Sequence, residues 1–190
     1  MRIAIFDAEL AMSLLGIDEN RAQQGIRVGQ FLAERFLAAR ASDGWNVTPP
    51  AYVLPATPGN WQPAPGLAAF THYPSVTPFG IKSGLQFKPN APPAMTSAEY
   101  AADLNEVKEL GSVNSVVRTA DQTKVAQLWA GVNTPTNFLF VWNNVARTVS
   151  LARGISTVEK ARLFALMNMA MHDALQTTFA SKFVYGLWRP

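Results

Sequence analysis

Cysteine is absent from the 190-residue sequence, which excludes disulfide bonds, thiolate metal sites and a cysteine nucleophile. Charged residues are also scarce, because Asp, Glu, Lys and Arg together make up only 15% of the chain, whereas hydrophobic residues make up 48%. This balance predicts a chain that buries much of its surface or meets a partner. The 16 Lys and Arg residues form no run, so the net charge of +3 does not indicate nucleic acid and leaves small anions as candidate partners.

Long apolar runs are missing as well. A charged residue interrupts every candidate before it reaches the roughly 20 residues that cross a bilayer. The first apolar stretch, MRIAIFDAELAMSLLG, contains Asp7 and Glu9, so it predicts a helix, and no signal peptide is evident. We therefore expect no membrane span, while the sequence leaves the compartment open.

Proline is concentrated in one segment, because 11 of the 13 prolines lie between Asn46 and Ala94. Proline without a helical period indicates extended structure. The same segment carries aromatic residues, which a disordered linker normally lacks: Tyr52, Trp61, Phe70, Tyr73, Phe79 and Phe87. We therefore predict that residues 46–95, called the arm below, form an ordered proline-rich segment laid over helices.

Helical periodicity dominates both flanks of the arm. Apolar residues recur at intervals of three or four in residues 1–45 and again in residues 96–190. Capping boxes mark three helix starts in the second flank: Thr96 with Glu99, Thr119 with Gln122, and Ser156 with Glu159. No stretch alternates for long at period two, so we predict one all-α domain, a helical bundle with the arm packed on it.

The final stretch, KFVYGLWRP, places two cations among apolar residues. If the last helix runs to Trp188, as we predict, positions seven apart differ by only about 20° in direction. Lys182 and Arg189 would then project from one face, about 10 Å apart at Cα, and their long side chains could converge on one tetrahedral oxyanion. The alternative is that Lys182 extends its ammonium group to solvent while Arg189 caps the helix end.

Lys182, Arg189 and Pro190 match the lysine-x6-arginine-proline signature of the type-2 phosphatidic acid phosphatase superfamily. The stretch MNMAMHDALQTTFASKFVYGLWRP resembles the vanadium-dependent haloperoxidase branch of that superfamily. Similar resemblances run through most of the chain, among them GIRVGQFLAERFLAARASDGW, PGNWQP and RTADQTKVAQLWA. The branch usually has a tryptophan and an aspartate shortly before the lysine, where this chain has FAS.

The resemblance implies that Lys182 and Arg189 bind the equatorial oxygens of vanadate, the cofactor with which hydrogen peroxide oxidises a halide. It also implies that Asp121 pairs with a second anion-binding arginine. The Ser-Gly-His signature and the arginine-histidine signature of the family have no counterpart in residues 1–190. We therefore expect this chain to be the front part of such an enzyme, an incomplete domain that is inactive alone and exposes apolar surface for self-association.

Other polar and aromatic residues have both a structural and a functional interpretation. Trp188 could wall the anion pocket or pack in the core. Asp173 could support the site or make a buried hydrogen bond between helices. Neither His72 nor His172 stands in a Ser-Gly-His motif, so both are interpreted as packing or hydrogen-bonding residues, and no residue is predicted to ligate a metal directly.

Two alternative functions stay open. Phosphatases of the same superfamily use an equivalent cradle for phosphate, with a histidine nucleophile, so the chain could be a fragment of a phosphoric monoester hydrolase. A non-catalytic helical protein that binds an anion or a partner helix would also fit these residues.

Overall fold

The computed structural model describes residues 2–63, 68–130 and 138–188. These residues form six α-helices and no β-strand: α1 (Arg2–Ser13), α2 (Glu19–Arg40), α3 (Ala98–Gly111), α4 (Ala120–Ala130), α5 (Phe138–Ala152) and α6 (Thr157–Tyr185). The predicted all-α class is confirmed. The chain divides into two compact units, Met1–Asn46 and Val47–Pro190.

The first unit is built from α1 and α2. Asp18 caps α2, because its carboxylate accepts a hydrogen bond of 3.2 Å from the backbone N–H of Arg21. Apolar side chains of α1 and of the turn after it, together with small residues of α2, line a groove of about 460 Å³, with Leu10, Leu14, Ala22, Gly25 and Gly29 among them. Other large apolar side chains of the unit are exposed, such as Phe6 at 70% and Leu37 at 68%.

The second unit is organised around α6, which packs against α5 and against the arm. Helix α6 begins at a capping box, as predicted. The backbone N–H of Glu159 donates to the Ser156 hydroxyl at 3.3 Å, and the Glu159 carboxylate accepts from the Ser156 N–H at 2.8 Å. These bonds satisfy backbone donors that a helix start leaves without intrahelical partners.

The other two predicted capping boxes have different outcomes. Thr119 and Gln122 exchange hydrogen bonds of 2.8 and 3.2 Å, which confirms that pair. The prediction for Thr96 is wrong, because Thr96 lies in the preceding turn and Ser97 caps α3 instead. The Ser97 hydroxyl accepts from the N–H of Tyr100 at 3.1 Å.

The arm makes close contacts with the C-terminal half of α6. Gln176 is fully buried, and its side-chain amide donates to the backbone carbonyls of Tyr73 and Val76. Gly84 lies so close to the helix that a Cβ atom there would stand 2.9 Å from the carbonyl oxygen of Gln176. Further along, the hydroxyl of Tyr185 donates to an arm carbonyl at 2.6 Å. The arm is therefore an ordered partner of α6 where the structure describes it.

None of the helices in the described ranges combines the length and the apolar character that a membrane crossing needs.

Candidate functional site

Lys182 lies in the last turn of α6 with its ammonium group against three aromatic rings. Its Nζ atom is 4.3 Å from the centre of the Trp61 ring, 5.3 Å from that of Phe183 and 5.5 Å from that of Phe179. Phe179 and Phe183 belong to α6, whereas Trp61 belongs to the arm. These three rings are called the aromatic cage below. A cation within about 6 Å of a ring centre is attracted to the negative face of the ring, so the cage holds the ammonium group in place.

Tyr52 and the arm backbone support the cage. The Tyr52 ring lies 4.9 Å from Phe183 and 5.5 Å from Trp61, and its hydroxyl donates to the carbonyl oxygen of Phe183 at 3.3 Å. Burial raises the pKa of Tyr52, which keeps the hydroxyl protonated and able to donate. Trp61 is itself only 7% exposed, so its ring has little room to move away from Lys182.

The residues that follow α6 pair with the arm. The backbone N–H of Trp61 donates to the carbonyl oxygen of Gly186 at 2.7 Å, and the N–H of Trp188 donates to that of Gly59 at 2.9 Å. The two segments thereby form a short antiparallel bridge. This bridge fixes the backbone of Trp61, while its ring packs against Tyr52 and Phe183.

The last helix is shorter than the sequence analysis predicts. Gly186 adopts a left-handed conformation with φ of 52°, and its N–H donates to the carbonyl oxygen of Lys182, so α6 ends at Tyr185 and does not reach Trp188. The predicted helical face shared by Lys182 and Arg189 is therefore wrong, because α6 ends before Trp188. Arg189 lies outside the described residues, so their predicted convergence stays a prediction.

Trp188 lies against α3. Its indole N–H donates to the hydroxyl of Tyr100 at 2.5 Å. The Trp188 side chain lines a pocket of about 150 Å³ together with residues of α3 and the end of the arm, among them Leu104 and Pro92. The observed contacts of Trp188 are thus with this pocket, while the cage beside Lys182 uses Trp61.

Asp173 anchors the arm to the middle of α6. Its carboxylate accepts backbone hydrogen bonds from Phe79 at 2.8 Å, Gly80 at 2.6 Å and Ile81 at 3.2 Å. Burial alone would raise the pKa of Asp173, but these bonds and the contact with His172 offset it and hold the pKa below its usual range. The side chain is therefore an ionised acceptor that organises three consecutive backbone amides.

The place of Asp173 on α6 separates it from the cage. Asp173 precedes Lys182 by nine residues, which corresponds to about 14 Å along the axis and to opposite sides of the helix. The sequence leaves two interpretations of Asp173 open, a helix-to-helix hydrogen bond and a supporting part in the anion site. The structure shows hydrogen bonds between the helix and the arm.

One histidine lies on α6 and the other in the arm. The Nδ1 atom of His172 is 3.2 Å from the Asp173 carboxylate, and the ring packs 4.9 Å from Phe79 and 5.4 Å from Tyr73. His172 precedes Lys182 by ten residues, about 15 Å along the helix. His72 immediately precedes the short 3-10 helix Tyr73–Ser75.

Asp121 is exposed in the first turn of α4, where a carboxylate is favoured by the helix dipole. Arg118, three residues earlier, caps the C-terminal end of α3. Its guanidinium group donates to the carbonyl oxygens of Leu110 at 2.6 Å and Ser112 at 3.0 Å. The pairing of Asp121 with an anion-binding arginine therefore stays an implication of the resemblance.

Comparisons of the chain with protein-family models, curated protein sequences and solved structures found no match. The haloperoxidase resemblance thus depends on the residues quoted for it.

The chemistry of the site follows from the Lys182 ammonium group, which lies against aromatic rings on a partly buried surface. No group of three or more potential metal-ligating side chains occurs within the described part of the chain. The rings of the aromatic cage attract the ammonium group through their π faces, which carry no formal charge of their own. Such a group can donate charge-assisted hydrogen bonds, which are strengthened where water is partly excluded.

Proposed function

We propose that the chain is the front portion of a vanadium-dependent haloperoxidase-like protein, and that Lys182 and Arg189 supply donors to an oxyanion site. The observation that carries the proposal is the signature residue Lys182, whose ammonium group lies 4.3 Å from the Trp61 ring. A flexible lysine on an exposed surface would need to lose its rotamer freedom when an anion binds. Contacts with the cage restrict that freedom beforehand, which favours a role in binding.

Vanadate fits this arrangement in its charge and hydrogen-bonding chemistry. Lys182 would offer up to three N–H donors as a point charge, and Arg189 would offer a planar fork that matches two oxygens of an oxyanion. When bound in a complete site, vanadate would catalyse the oxidation of halide by hydrogen peroxide. The part of this chain is to bind and orient the anion, and to exclude water from it by means of the aromatic rings.

Phosphate would engage the same two side chains, because it has the same tetrahedral shape and similar charge. A phosphatase of the same superfamily is therefore the second candidate. A helical protein that binds a partner without catalysis is the third, and the exposed apolar side chains of α4 and α5 favour it: Leu128 at 60%, Trp129 at 60% and Leu151 at 65%. We include self-association through these exposed side chains in the third candidate function.

We expect the chain to bind orthovanadate weakly, with a dissociation constant in the millimolar range, because two charge-assisted donors contribute roughly 1.5–3 kcal/mol each. Lys182→Ala should weaken binding at least about 10-fold, and Arg189→Ala should act in the same direction. Line broadening in ⁵¹V NMR measures the affinity, with phosphate as a competitor. Lys108→Ala, which removes an exposed lysine on α3, is the matched control and should leave binding unchanged. Equal affinities for the Lys182 and Lys108 variants would reject the proposed site.

We also expect the chain by itself to turn over neither halide nor phosphate esters. The histidine signatures of the family have no counterpart in the sequence, and His172 is hydrogen-bonded to Asp173, about 15 Å along α6 from Lys182. Bromide oxidation with hydrogen peroxide and vanadate, and hydrolysis of p-nitrophenyl phosphate, test the two activities. Both rates should equal those of protein-free controls. A rate above background that disappears in Lys182→Ala would contradict this expectation.

A further inference from the structure

The strongest single contact of the aromatic cage comes from the arm. Trp61 is 4.3 Å from the Lys182 ammonium group, nearer than either ring of α6 itself, and an indole is the best π partner for a cation. A contact between residues so far apart in sequence forms only when the arm is seated on α6. The position of the ammonium group is thereby coupled to the docking of the arm.

Contacts other than the one with Lys182 also hold Trp61 in place. The Trp61 backbone N–H donates to the carbonyl of Gly186 at 2.7 Å, and its ring packs 5.5 Å from Tyr52 and 6.4 Å from Phe183. The lysine side chain, by contrast, has four flexible carbons and no fixed geometry of its own. The rigid group is thus the indole, and the adaptable group is the ammonium.

We infer that Trp61 is a positioning residue for the proposed oxyanion site: it holds the Lys182 ammonium group ready for the anion, and the arm thereby contributes to binding without touching the anion. This inference depends on the proposed function of Lys182. A π face attracts the cation but accepts no full hydrogen bond from it, so contact with the indole is compatible with hydrogen bonds from an ammonium group to the oxygens of an anion. Loss of the indole should therefore weaken anion binding although Lys182 is still present.

The test compares two substitutions of Trp61 by an NMR chemical shift that depends on the contact between Trp61 and Lys182. In protein labelled with ¹³C-lysine, the Lys182 ε-methylene protons should be shifted upfield by the ring currents of the cage. Trp61→Leu removes the π face while keeping an apolar side chain, and it should move the signal toward its free-lysine position. Trp61→Phe retains a π face and should preserve most of the shift. Trp129→Leu, at an exposed tryptophan on α4, is the matched control and should change nothing.

Vanadate affinity of the same variants should follow the NMR signal. We expect Trp61→Leu to weaken binding about 3- to 10-fold, which is the range that a partly desolvated cation–π contact supplies, and Trp61→Phe to restore most of it. In the Lys182→Ala background, Trp61→Leu should have no further effect, because Trp61 acts through Lys182. Additional weakening in that background would overturn the inference.

The outcomes separate this inference from the proposed function. If Lys182→Ala abolishes binding but Trp61→Leu leaves it intact while the ring-current shift disappears, Trp61 has no positioning role and the proposed function stands. If the wild-type chain binds no vanadate while the shift is present, the proposed function fails, and the anion-directed role of Trp61 fails with it. Should Trp61→Leu unfold, the wild-type titration decides: saturating vanadate that moves neither the Lys182 ε-signals nor the Trp61 indole signal overturns the inference.

Discussion

Replacing Asp173 by alanine should lower the free energy of unfolding by at least about 3 kcal/mol. The carboxylate accepts three backbone N–H groups of the arm, and the residue is only 7% exposed. Without it, three donors in a partly buried position lose their acceptor, and an unsatisfied buried donor costs about 1–3 kcal/mol. Urea unfolding followed by far-UV circular dichroism measures the loss.

Hydrogen exchange locates the effect of the Asp173 substitution. The amides of residues 79–81 should exchange faster in Asp173→Ala, because their acceptor is gone and this part of the arm opens more often. Glu106→Ala, which removes an exposed carboxylate from α3, is the matched control and should change stability by no more than about 0.5 kcal/mol. Unchanged exchange at residues 79–81, together with a loss below about 1 kcal/mol, would refute the anchoring role.

Acid titration distinguishes the charge of Asp173 from its bulk. The folded protein holds the pKa of this carboxyl group below its usual range, so the folded state favours the ionised form. The stabilising contribution is therefore complete above the unfolded-state pKa near 4, and it is lost as the pH falls through the folded-state value. The stability difference between the wild type and Asp173→Asn should accordingly be largest near neutral pH and shrink below about pH 4. A difference that grows on acidification would have the wrong sign.

Local features of the fold were predictable because their signals lie close together in the sequence. The boxes at Thr119 and Ser156 follow from residues three apart, and the structure contains both pairs. The box predicted at Thr96 is wrong, because the neighbouring Ser97, which has an equally suitable hydroxyl, caps α3 instead. Neighbouring candidates of one chemical type are not separated by pattern alone.

The contacts of the arm could not be predicted in the same way. The aromatic residues of the arm indicate that it packs against something, but nothing local shows that Trp61 lies over Lys182 or that Asp173 accepts from residues 79–81. The residues of each pair are far apart in the sequence, and the tertiary fold of the second unit brings them together. Gly186 is the sequence signal for the end of α6, since a glycine that follows a helical stretch is a common stop, and it predicts a helix that ends before Trp188.

Gly186→Ala is expected to destabilise the protein by about 2–5 kcal/mol. A residue with a side chain costs roughly 1–2 kcal/mol in the left-handed conformation that Gly186 adopts at φ of 52°. The new Cβ atom would also stand 2.5 Å from Leu54 Cδ1 and 2.6 Å from the Tyr52 hydroxyl oxygen. Relief of such overlap requires the arm to shift, which typically costs about 1–3 kcal/mol more.

Gly154→Ala separates the two contributions to the Gly186 effect. Gly154 has a similar φ of 59°, but a Cβ atom there would meet nothing within 4 Å, so this control measures backbone strain alone. Urea unfolding should give a loss of about 1 kcal/mol for Gly154→Ala and a clearly larger one for Gly186→Ala. Adding Leu54→Ala to Gly186→Ala should recover part of the difference, because it removes the nearest obstructing atom. The displaced arm should also lose the Trp61 contact, so the Lys182 ring-current shift should fall in Gly186→Ala and persist in Gly154→Ala. Equal losses of stability in the two glycine variants would show that the arm does not pack tightly over the end of α6.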